Sequence, residues 1–554
     1  MSQDTSISRR KFLAGSGAVL AAPMVLRSFT NAAVTPGSNY SATPVLGTYD
    51  VVVVGGGPAG IGAAIGAARQ GAKTFVVEGH SFFGGFAAWS LGIAMNQMRP
   101  NSKARSAIHE LVISKLTAYG TQAARIGTHE ISPNVHYLKA AVVDTFDSLS
   151  SNCSYMVHVK AADVVMQGNV MTGVILITKQ GLRRVNAKVV IDCTGDADIA
   201  FFAGAETVMD TTNLTPMMLG AAYTNATISS IQKSDITNTL TGARVTYPLT
   251  PSNIVGLNLV SNCHFGFMNH DGTKSFGTLD PTDPVQRTQA ESKSRRQIVQ
   301  MTEAMRSSPT ASLKTIELCD GGPQVCVPES RKINGLYTLT DQNVANGASF
   351  SDTVALRYDI INNVLSSCGV PYRTLVPVIV DGLLTAGRCL SATHGAVSNS
   401  VGNCIATGNA AGVAAALAAK NNTTPRQIDP KDVQTILLNS DQVNLASKTS
   451  SLSNWSARQA DTPDFSVAMG RRGHSAGSAR ISYRLPQASD CKLTISNIQG
   501  QVIQTLENGR KDPGNYSIAW NGKDGMGCEV PNGRYLISMK TGVFHKVLTM
   551  NLVR

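Results

Sequence analysis

The segment Tyr49–Glu78 reads YDVVVVGGGPAGIGAAIGAARQGAKTFVVE. It begins with Tyr49–Val54, which includes four consecutive valines and is typical of a buried parallel strand. A glycine-rich turn follows, and then the small residues of Ile61–Ala68, which predict a helix that packs closely on a sheet. A second apolar run, Thr74–Val77, ends at Glu78. This order of residue types predicts a βαβ unit of an α/β fold.

The turn between the first strand and the helix has the spacing G-x-G-x-x-G. Gly55 permits the tight turn, Gly57 lets the backbone approach a pyrophosphate, and Gly60 lets the helix pack closely on the strand. Pro58 and Ala59 begin the helix, whose free N–H groups and dipole stabilise an anion. The turn therefore predicts a phosphate-binding helix N-terminus.

Glu78 stands 23 residues after Gly55, at the end of the second strand. Its carboxylate is placed to accept hydrogen bonds from both ribose hydroxyls, and it would repel a 2′-phosphate. An ordinary βαβ unit with a glycine turn would need neither the full set of glycines nor the acid. We therefore predict a dinucleotide site in this unit. Its proposed cofactor-binding residues are Gly55, Gly57, Pro58, Ala59, Gly60 and Glu78.

Composition limits the class of protein. The chain has 554 residues, of which 43% are hydrophobic, and this is enough for two or three domains. The formal net charge is +12, and +9 without the first 33 residues. No basic run is interleaved with aromatic residues, so we predict no nucleic-acid partner. No segment has the roughly 18 uninterrupted apolar residues that a membrane span needs, so we predict none after removal of an N-terminal signal.

The ten cysteines show neither a C-x-x-C motif nor a zinc-site spacing, and we predict no metal. Cys193, Cys389 and Cys404 lie in stretches predicted to be buried, where small apolar packing is the expected role, and two other pairs are candidates for disulfides. The candidate pairs are Cys319 with Cys326 and Cys491 with Cys528.

The N-terminus has the features of a targeting segment. The sequence SRRKFL over Ser8–Leu13 precedes a mildly apolar run, and Ala32 is a plausible cleavage point. Residues 1–33 thus resemble a twin-arginine export signal, with Arg9 and Arg10 as the pair read by the export machinery. A disordered basic start is the alternative. We expect an exported protein, periplasmic or extracellular and at the cell surface, with residues 34–48 as a linker.

Two more stretches of residues 49–204 are predicted to approach the cofactor. Gly84 and Gly85 precede small residues, which suggests a second close backbone approach. Four strand-like runs between residues 155 and 191 predict an inserted antiparallel β-meander. The last run opens onto DCTGDAD, which puts Gly195 and Asp196 at the carboxyl end of a strand, where clefts of α/β sheets lie. Helix capping is the alternative role of Asp196 and Asp198.

The middle of the chain, residues 205–375, is rich in Thr, Asn and Ser, and it is predicted to be a mixed α+β substrate domain with a polar helix over Asp283–Arg306. Arg331 is a candidate for orienting an anionic or carbonyl group, with Glu329 holding it in place. A solvated charged turn is the alternative.

Residues 376–437 are predicted to return to the nucleotide-binding domain. A short strand precedes Gly387 and Arg388, and His394 is a candidate proton donor or acceptor, although a lone histidine is more often structural. Residues Gly402–Lys420 predict a small-residue helix, whose N-terminus, with Asn403 and Cys404, would present its positive end to the N1–C2=O edge of a flavin. Residues 438–479 read as a linker, and residues 480–554 as a small β-sandwich.

Six segments between Tyr49 and Lys420 resemble the FAD-dependent oxidoreductase family related to the flavin subunits of fumarate reductase. They are DVVVVGGGPAGIGAA, FFGG, VVIDCTGDADIAFFAGA, PESRKINGLYTLT, VPYRTLVP and LLTAGRCLSATHG. The resemblance implies FAD as the cofactor, places Gly387 and Arg388 beside the flavin, and makes Arg331 and His394 active-site candidates. Gly395 stands where relatives carry an acid, and Ser398–Asn403 replaces their Arg-Val segment.

The C-terminal segments ISYRLP, LTISNIQGQVIQTLE, GNYSIAWNGKDGMG and VPNGRYLISMKTG resemble the immunoglobulin-like repeat of the flagellar hook-cap protein. They are also similar to type IX secretion sorting domains. This resemblance implies sorting or surface attachment. The expected fold is therefore an α/β Rossmann-like FAD-binding domain with an inserted β-meander, a mixed α+β substrate domain and a C-terminal β-sandwich.

The expected function is an exported FAD-dependent oxidoreductase that transfers hydride between the flavin N5 and a small polar organic substrate. His394, Arg331 and Arg388 are the catalytic candidates, and His80 is a candidate for a covalent flavin link. An electron acceptor and the sorting machinery are the other expected partners. Two alternatives are an exported flavoprotein that carries electrons or senses redox state without an organic substrate, and a surface-displayed protein without enzymatic activity.

Overall fold

The computed structural model describes residues 40–89, 94–211, 214–215, 217–225, 254–261, 264–270, 279–361, 364–446, 466–470, 479–485, 488–512, 514–542 and 545–552. The chain divides into two compact units, residues 1–451 and residues 452–554. The predicted export signal lies outside the described residues.

The first unit contains ten described helices and eighteen described strands. The helices are α1 (Pro58–Arg69), α2 (Phe86–Trp89), α3 (Ala107–Thr117), α4 (Val135–Asp147), α5 (Asp198–Phe202), α6 (Pro284–Arg306), α7 (Ala311–Lys314), α8 (Asp341–Ala345), α9 (Val401–Lys420) and α10 (Pro430–Asn439). The strands are β1 (Val45–Val54), β2 (Thr74–Val77), β3 (Met95–Asn96), β4 (Ala124–Ile126), β5 (Glu130–Pro133), β6 (Cys153–Met156), β7 (Lys160–Gln167), β8 (Val170–Thr178), β9 (Gly181–Asp192), β10 (Thr207–Val208), β11 (Met218–Thr224), β12 (Ile254–Ser261), β13 (His264–His270), β14 (Glu317–Gly321), β15 (Lys332–Ile333), β16 (Thr353–Ile361), β17 (Val364–Pro371) and β18 (Leu383–Thr385).

The central sheet has the strand order β6-β2-β1-β9-β8-β7, and β18 also pairs with β9. Strands β6, β2, β1, β9 and β18 run parallel. Val54 lies opposite Val77 on one side and Asp192 on the other, and Asp192 lies opposite Thr385. Four strands thus end in line, so the loops that follow them meet at one edge of the sheet, where α/β folds place their binding clefts.

The predicted meander is present as an extension of this sheet, because β7, β8 and β9 pair antiparallel in sequence. One strand of the prediction is wrong. The run beginning near Tyr155 belongs to β6, which pairs parallel with β2 on the opposite edge. The pattern of a short apolar strand does not specify its partner, and β2 was the edge available for pairing.

Helices α1 and α9 pack against each other through glycines. A Cβ atom at Gly62 would lie 2.1 Å from the carbonyl oxygen of Ile405, and one at Gly408 would lie 2.0 Å from that of Ala59. Only glycine permits such a close approach of two helix backbones. Among the described helices, α9 alone has the length and apolar composition of a membrane span, but 94% of the relevant window is buried inside the protein.

The predicted substrate domain contains a four-stranded sheet of order β12-β13-β11-β14. Helix α6 packs on it, with Met301 and Tyr223 in the shared apolar core. Asp283 caps this helix by accepting hydrogen bonds from the N–H groups of Val285 and Gln286. The start of the helix therefore agrees with the prediction.

The second unit contains two sheets, as predicted for a β-sandwich. Their orders are β19-β20-β23 and β22-β21-β24-β25. The strands are β19 (Ser466–Gly470), β20 (Ala479–Leu485), β21 (Ser489–Asn497), β22 (Val502–Lys511), β23 (Gly514–Trp520), β24 (Gly533–Lys540) and β25 (His545–Leu552). Trp520 is buried in their shared core, and its indole N–H donates to the carbonyl oxygen of Lys523. Strand β19 lies within the segment predicted as a linker.

Both predicted disulfides are wrong, because all four cysteines are free. The buried Cys326 sulfur accepts a hydrogen bond from the indole of Trp89 at 3.1 Å, and Cys319 donates to the carbonyl oxygen of Ala222. Cys491 is buried in its unit, whereas Cys528 is exposed. Spacing in the sequence did not reveal these different neighbours.

Candidate functional site

The glycine turn after β1 has the geometry that its spacing predicts. Gly55 has a φ angle of +101°, and a Cβ atom there would lie 2.4 Å from the carbonyl oxygen of Cys193. A Cβ atom at Gly60 would lie 1.8 Å from the carbonyl oxygen of Gly55. These two positions require glycine for the turn and for close helix packing. Pro58 occupies the first turn of α1, and Ala59 is buried beneath it.

The second glycine pair packs against the first. Gly84 and Gly85 have φ angles of +105° and +46°, and the N–H of Gly84 donates to the carbonyl oxygen of Gly56. A Cβ atom at Gly85 would lie 2.8 Å from the Cα atom of Gly57, whereas one at Gly57 would have its nearest neighbour at 3.9 Å. Two glycine turns therefore meet in front of the N-terminus of α1.

Glu78 is buried at the end of β2 and is held by three donors. Its Oε2 accepts a hydrogen bond from the N–H of Gly56 at 2.8 Å, and its Oε1 accepts from the N–H and Nδ1 of His80. Burial raises the pKa of Glu78, but these hydrogen bonds outweigh it and lower the pKa overall. The carboxylate is therefore charged, and among the described residues it accepts one hydrogen bond at Oε2 and two at Oε1.

His80 lies beside the carboxylate predicted to bind the ribose. Its Nδ1 is 2.7 Å from Glu78 Oε1, and its Nε2 is 2.8 Å from Gln324 Oε1. The hydrogen bond to Glu78 raises the pKa of His80, which favours an imidazolium that donates from both nitrogens. Both ring nitrogens are thus occupied, so nothing in this arrangement supports a covalent flavin link at His80.

The loop after β9 joins Gly195 and Asp196 to the predicted return segment. Gly195 has a φ angle of +83°, and a Cβ atom there would lie 2.3 Å from Arg388 Nη2. Asp196 is buried, and its Oδ1 lies 3.5 Å from Arg388 Nη2 and accepts from the hydroxyl of Ser330 at 2.6 Å. Asp196 therefore links three segments that are far apart in sequence. The helix-cap alternative is wrong, because the residue at the N-cap of α5 is Ala197.

Arg331 is held by the same loop. Its Nε donates to the carbonyl oxygen of Asp196 at 3.0 Å, its Nη2 pairs with Asp198, and its guanidinium lies over the ring of Phe201. Burial and the nearby carboxylates raise the pKa of Asp198 to about 6. The prediction that Glu329 holds Arg331 is wrong, because Arg331 is held by the Asp198 carboxylate and the Asp196 carbonyl oxygen.

Glu329 instead holds His394. Its Oε2 lies 2.5 Å from His394 Nδ1, and its Oε1 pairs with the buried Lys332. Glu329 is 2% exposed, whereas the His394 side chain is 43% exposed. The hydrogen bond to Glu329 raises the pKa of His394. One ring nitrogen is therefore fixed by a buried carboxylate, while much of the ring remains open to a partner.

The loop after His394 is held by Arg357, which the sequence did not single out. Its Nη1 donates to the carbonyl oxygens of Gly395 and Ala396, and its Nε donates to Asp359 at 2.8 Å. This arrangement fixes the backbone on the C-terminal side of the histidine. Arg357 lies in strand β16, and a charged residue in a strand does not by itself indicate that it holds a distant loop.

Gly387 and the first turns of α9 are in contact. The N–H of Gly387 donates to the hydroxyl of Thr407 at 3.1 Å. A Cβ atom at Gly387, whose φ angle is +66°, would lie 2.8 Å from Ala59 Cβ and 3.5 Å from Cys404 Sγ. The start of α9 therefore adjoins the start of α1. Burial raises the pKa of Cys404 to about 11, so its thiol stays protonated at neutral pH.

Both polar atoms of the Asn403 side chain form hydrogen bonds inside the protein. Its Oδ1 accepts hydrogen bonds from Arg105 Nη1 and from the N–H of Tyr358, and its Nδ2 donates to the carbonyl oxygen of Tyr358 and to the hydroxyl of Ser398. Any contribution of Asn403 to cofactor binding must therefore come from its backbone N–H in the first turn of the helix. No motif in the sequence singles out Arg105.

These residues fit a bound FAD. At Gly57 and Gly85 the two facing turns present backbone without side chains beside the helix N-terminus, as a pyrophosphate requires, and the charged Glu78 ends β2, where a ribose would bind. In addition, Arg388 Nη1 is buried without a hydrogen-bond partner among the described residues. A buried guanidinium nitrogen without a partner is costly, and the oxygens of a dinucleotide would supply one.

The parallel sheet, the glycine cradle and the acid after the second strand together define a flavoprotein fold of the Rossmann type. The chain belongs to the FAD dependent oxidoreductase family, whose model matches residues 50–437. It is therefore an FAD-dependent enzyme. Residues 471–542 match the FlgD Ig-like domain, which agrees with the β-sandwich of the second unit.

Curated relatives cover smaller parts of the chain. Thiamine thiazole synthase of Methanococcus aeolicus is 30% identical over 168 residues, which are 27% of this chain and 57% of that protein. Pseudooxynicotine dehydrogenase of a Pseudomonas species is 42% identical over 84 residues, which are 14% of this chain and 17% of that protein. The chain thus matches little more than half the length of the first relative.

Solved structures give similarly distant matches. A geranylgeranyl bacteriochlorophyll reductase-like protein of Thermoplasma acidophilum is 14% identical, with a TM-score of 0.39 over 71% of this chain and 84% of that chain. A flavoprotein/dehydrogenase of Cytophaga hutchinsonii is 13% identical, with a TM-score of 0.37 over 70% of this chain and 82% of that chain.

Proposed function

We propose that this FAD-dependent oxidoreductase transfers hydride between the flavin N5 and a small polar organic substrate, with His394 moving the accompanying proton. The observation that carries this proposal is the contact between His394 and Glu329. It places a half-exposed imidazole on a buried carboxylate, beside the loop that holds Arg331 and Arg388. A bound FAD would supply the redox chemistry, and the protein would supply placement and proton handling.

His394 has the features of an acid–base residue. Its Nδ1 is engaged by Glu329, so Nε2 is the nitrogen left to face a substrate. The raised pKa keeps a larger fraction of the ring protonated near neutral pH, which suits a proton donor in the direction of substrate reduction. In the opposite direction the neutral ring accepts the proton of an alcohol or amine.

The charges around this histidine favour a polar substrate that carries no carboxylate. Arg331 pairs with Asp198, and Arg388 and Arg287 both pair with Asp196. Each of these arginines is therefore already paired with a carboxylate, although Arg287 and Arg388 share Asp196. The Arg-Val segment that relatives carry is also replaced by Ser398–Asn403. A sugar-derived alcohol, an amine or an activated alkene fits this balance better than a dicarboxylate.

The first test is an absorbance spectrum of the purified protein, followed by anaerobic titration with sugars, alcohols, amines and enoates. We expect the visible bands of oxidised flavin, and bleaching by a member of one substrate class. The variant His394→Asn should retain the bands but turn over about 100-fold more slowly or worse, since general acid–base catalysis contributes that much.

Three outcomes would contradict parts of this proposal. Unchanged turnover in His394→Asn would remove the histidine from the mechanism. Rapid reduction by a protein donor without bleaching by any organic compound would favour an electron carrier. A protein that neither contains nor takes up FAD would favour the display protein without enzymatic activity.

We also propose that the enzyme is exported through the twin-arginine route and sorted by its C-terminal unit. The support is the SRRKFL segment and the immunoglobulin-like match of residues 471–542. Replacing Arg9 and Arg10 together by lysine should leave the flavin-loaded protein in the cytoplasm of an expressing bacterium. Normal export of this variant, measured by cell fractionation, would contradict the assignment.

A further inference from the structure

His80 joins the carboxylate predicted to bind the ribose to the substrate domain. Its Nδ1 lies 2.7 Å from Glu78 Oε1, and its Nε2 lies 2.8 Å from Gln324 Oε1. The backbone N–H of His80 also donates to Glu78 Oε1, so two donors of one residue converge on one carboxylate oxygen. Glu78 follows β2 of the central sheet, whereas Gln324 follows β14 of the four-stranded sheet and stands 244 positions from His80. One imidazole therefore bridges segments that follow strands of two separate sheets.

A second contact runs beside this bridge. Trp89 ends α2, the short helix after the second glycine pair, and its indole N–H donates to Cys326 Sγ at 3.1 Å. The indole also packs on the imidazole of His80, with ring centroids 4.7 Å apart. Gln324 and Cys326 belong to one loop, residues 322–326. Both contacts therefore reach the same loop of the substrate domain from the cofactor side.

The loop of residues 322–326 is fixed within the substrate domain. Arg295 of α6 donates to two carbonyl oxygens of the loop, and the N–H of Val325 donates to Glu291 of the same helix at 2.7 Å. The last residue of the loop forms an antiparallel bridge with Met218 of β11. A displacement of the loop therefore also disturbs its contacts with α6 and β11.

The chain continues from this loop directly into the candidate active site. Three residues after the loop stands Glu329, whose carboxylate holds His394. The next residue, Ser330, donates to Asp196. The loop is therefore the connection between the ribose-binding end of the cofactor site and the segment that holds His394.

We propose that His80 is a positioning residue that couples FAD binding at Glu78 to the placement of the 322–326 loop. This proposal rests on FAD binding and is independent of the role proposed for His394. A ribose hydroxyl that donates to Glu78 fixes this carboxylate, and the fixed carboxylate orients the imidazole toward Gln324. By linkage, the factor by which FAD strengthens the contact between His80 and Gln324 equals the factor by which this contact strengthens FAD binding. The substrate-domain side of the site is therefore held more firmly in the FAD-loaded protein.

The first test is the affinity of the FAD-free protein for FAD, measured by the change in flavin fluorescence on binding. Gln324→Leu removes the amide without altering Glu78 or the glycine turns, and it should weaken FAD binding about 3- to 10-fold, as the loss of one hydrogen bond predicts. His80→Phe keeps a ring against Trp89 and should weaken FAD binding at least as much. The double variant should bind FAD no more weakly than His80→Phe alone, because Gln324 acts through His80.

The second test is hydrogen exchange with and without saturating FAD, followed in peptides that contain residues 322–326. FAD should slow exchange in this loop in the wild type but not in Gln324→Leu or His80→Phe. Peptides that contain residues 55–60 should be protected by FAD in all three proteins, which shows that the cofactor is bound. Gln324→Glu restores an acceptor for the imidazole and should recover the protection of the loop, which a purely structural defect would not do.

The matched control is Gln180→Leu. Gln180 also offers its amide oxygen to one side chain, that of Arg183, at 3.4 Å, but it lies in the exposed turn between β8 and β9. This variant should retain the wild-type FAD affinity and the FAD-dependent protection of the loop.

Loop protection by FAD that persists in Gln324→Leu would overturn the proposal, and so would wild-type FAD affinity in that variant. Additive losses of affinity in the double variant would overturn it as well, because His80 and Gln324 would then act separately. If His80→Phe fails to fold, Gln324→Leu and Gln324→Glu still decide between these outcomes. A wild-type protein that takes up no FAD would instead show that the proposed function has failed.

Discussion

Glu329 acts on His394 through one hydrogen bond, and its removal has a direct consequence. The hydrogen bond to Glu329 raises the pKa of His394, while burial and Lys332 lower it. In Glu329→Gln the pKa of His394 should fall, so the limb of the pH profile of turnover that reports this group should move to lower pH. The measurement is kcat against pH, with flavin absorbance confirming that the cofactor is retained.

The same pair predicts a dependence of stability on pH. A histidine whose pKa is raised in the folded state stabilises the fold fully below its unfolded pKa, which is about 6.5. This contribution is lost as pH rises through the folded-state pKa, and Glu329→Gln should abolish that part of the pH dependence. The exposed Glu303 of α6 is a matched control, because Glu303→Gln should leave both profiles unchanged. Identical profiles in the wild type and Glu329→Gln would contradict the assignment.

Residues of the predicted cofactor site could be located from the sequence where their placement depends only on residues nearby in the chain. The glycine turn and Glu78 lie within one βαβ unit, and their spacing alone indicates their role. The contact between His394 and Glu329 was not predictable in this way. Glu329 and His394 are 65 positions apart, and Arg105 and Asn403 are 298 apart. Such contacts depend on how helices and strands pack against one another. The hydrophobic periodicity of the sequence does not give that packing.

The contact between α1 and α9 predicts how a single methyl group affects the cofactor. A Cβ atom at Gly408 would lie 2.0 Å from the backbone oxygen of Ala59, so Gly408→Ala must push the helices apart. We expect a loss of about 1–3 kcal/mol in the free energy of unfolding. FAD affinity should also fall, because Ala59 lies in the first turn of the phosphate-binding helix. Thermal unfolding and equilibrium titration with FAD measure the two effects.

A glycine in open space provides the control for this helix contact. A Cβ atom at Gly321 in β14 would have no neighbour within 4 Å, and its φ angle lies outside the left-handed region. Gly321→Ala should therefore leave FAD affinity unchanged. Equal FAD affinity in Gly408→Ala and the wild type would show that the two helices separate without disturbing the phosphate site.

Elements were predictable where a pattern has one physical interpretation. The small-residue helix was predicted over Gly402–Lys420 and the polar helix over Asp283–Arg306, and the observed helices each begin within one residue of these bounds, at Val401 and Pro284. The strand near Tyr155 was assigned to the wrong partner, because a short edge strand carries little information about its neighbours. The cysteine pairs failed for a similar reason, since spacing does not give the direction of a side chain.

The division of the chain into two units allows them to be separated. The apolar core of the FAD-binding unit ends at Val443 among the described residues, and the core of the second unit begins at Ile481. The family match to the oxidoreductase also ends at residue 437. A chain truncated after Ala446 should therefore retain bound FAD, turnover and its main unfolding transition.

The complementary fragment, residues 452–554, should fold alone around Trp520 and Ile537. At about 0.7 kcal/mol per residue, its calorimetric unfolding enthalpy should be roughly 70 kcal/mol near 60 °C, in a single cooperative transition. If the truncated chain loses its FAD while the fragment folds, the second unit must support the cofactor site. If both parts keep their properties, catalysis resides in the first unit, and the immunoglobulin-like unit is left with the attachment role that its resemblance implies.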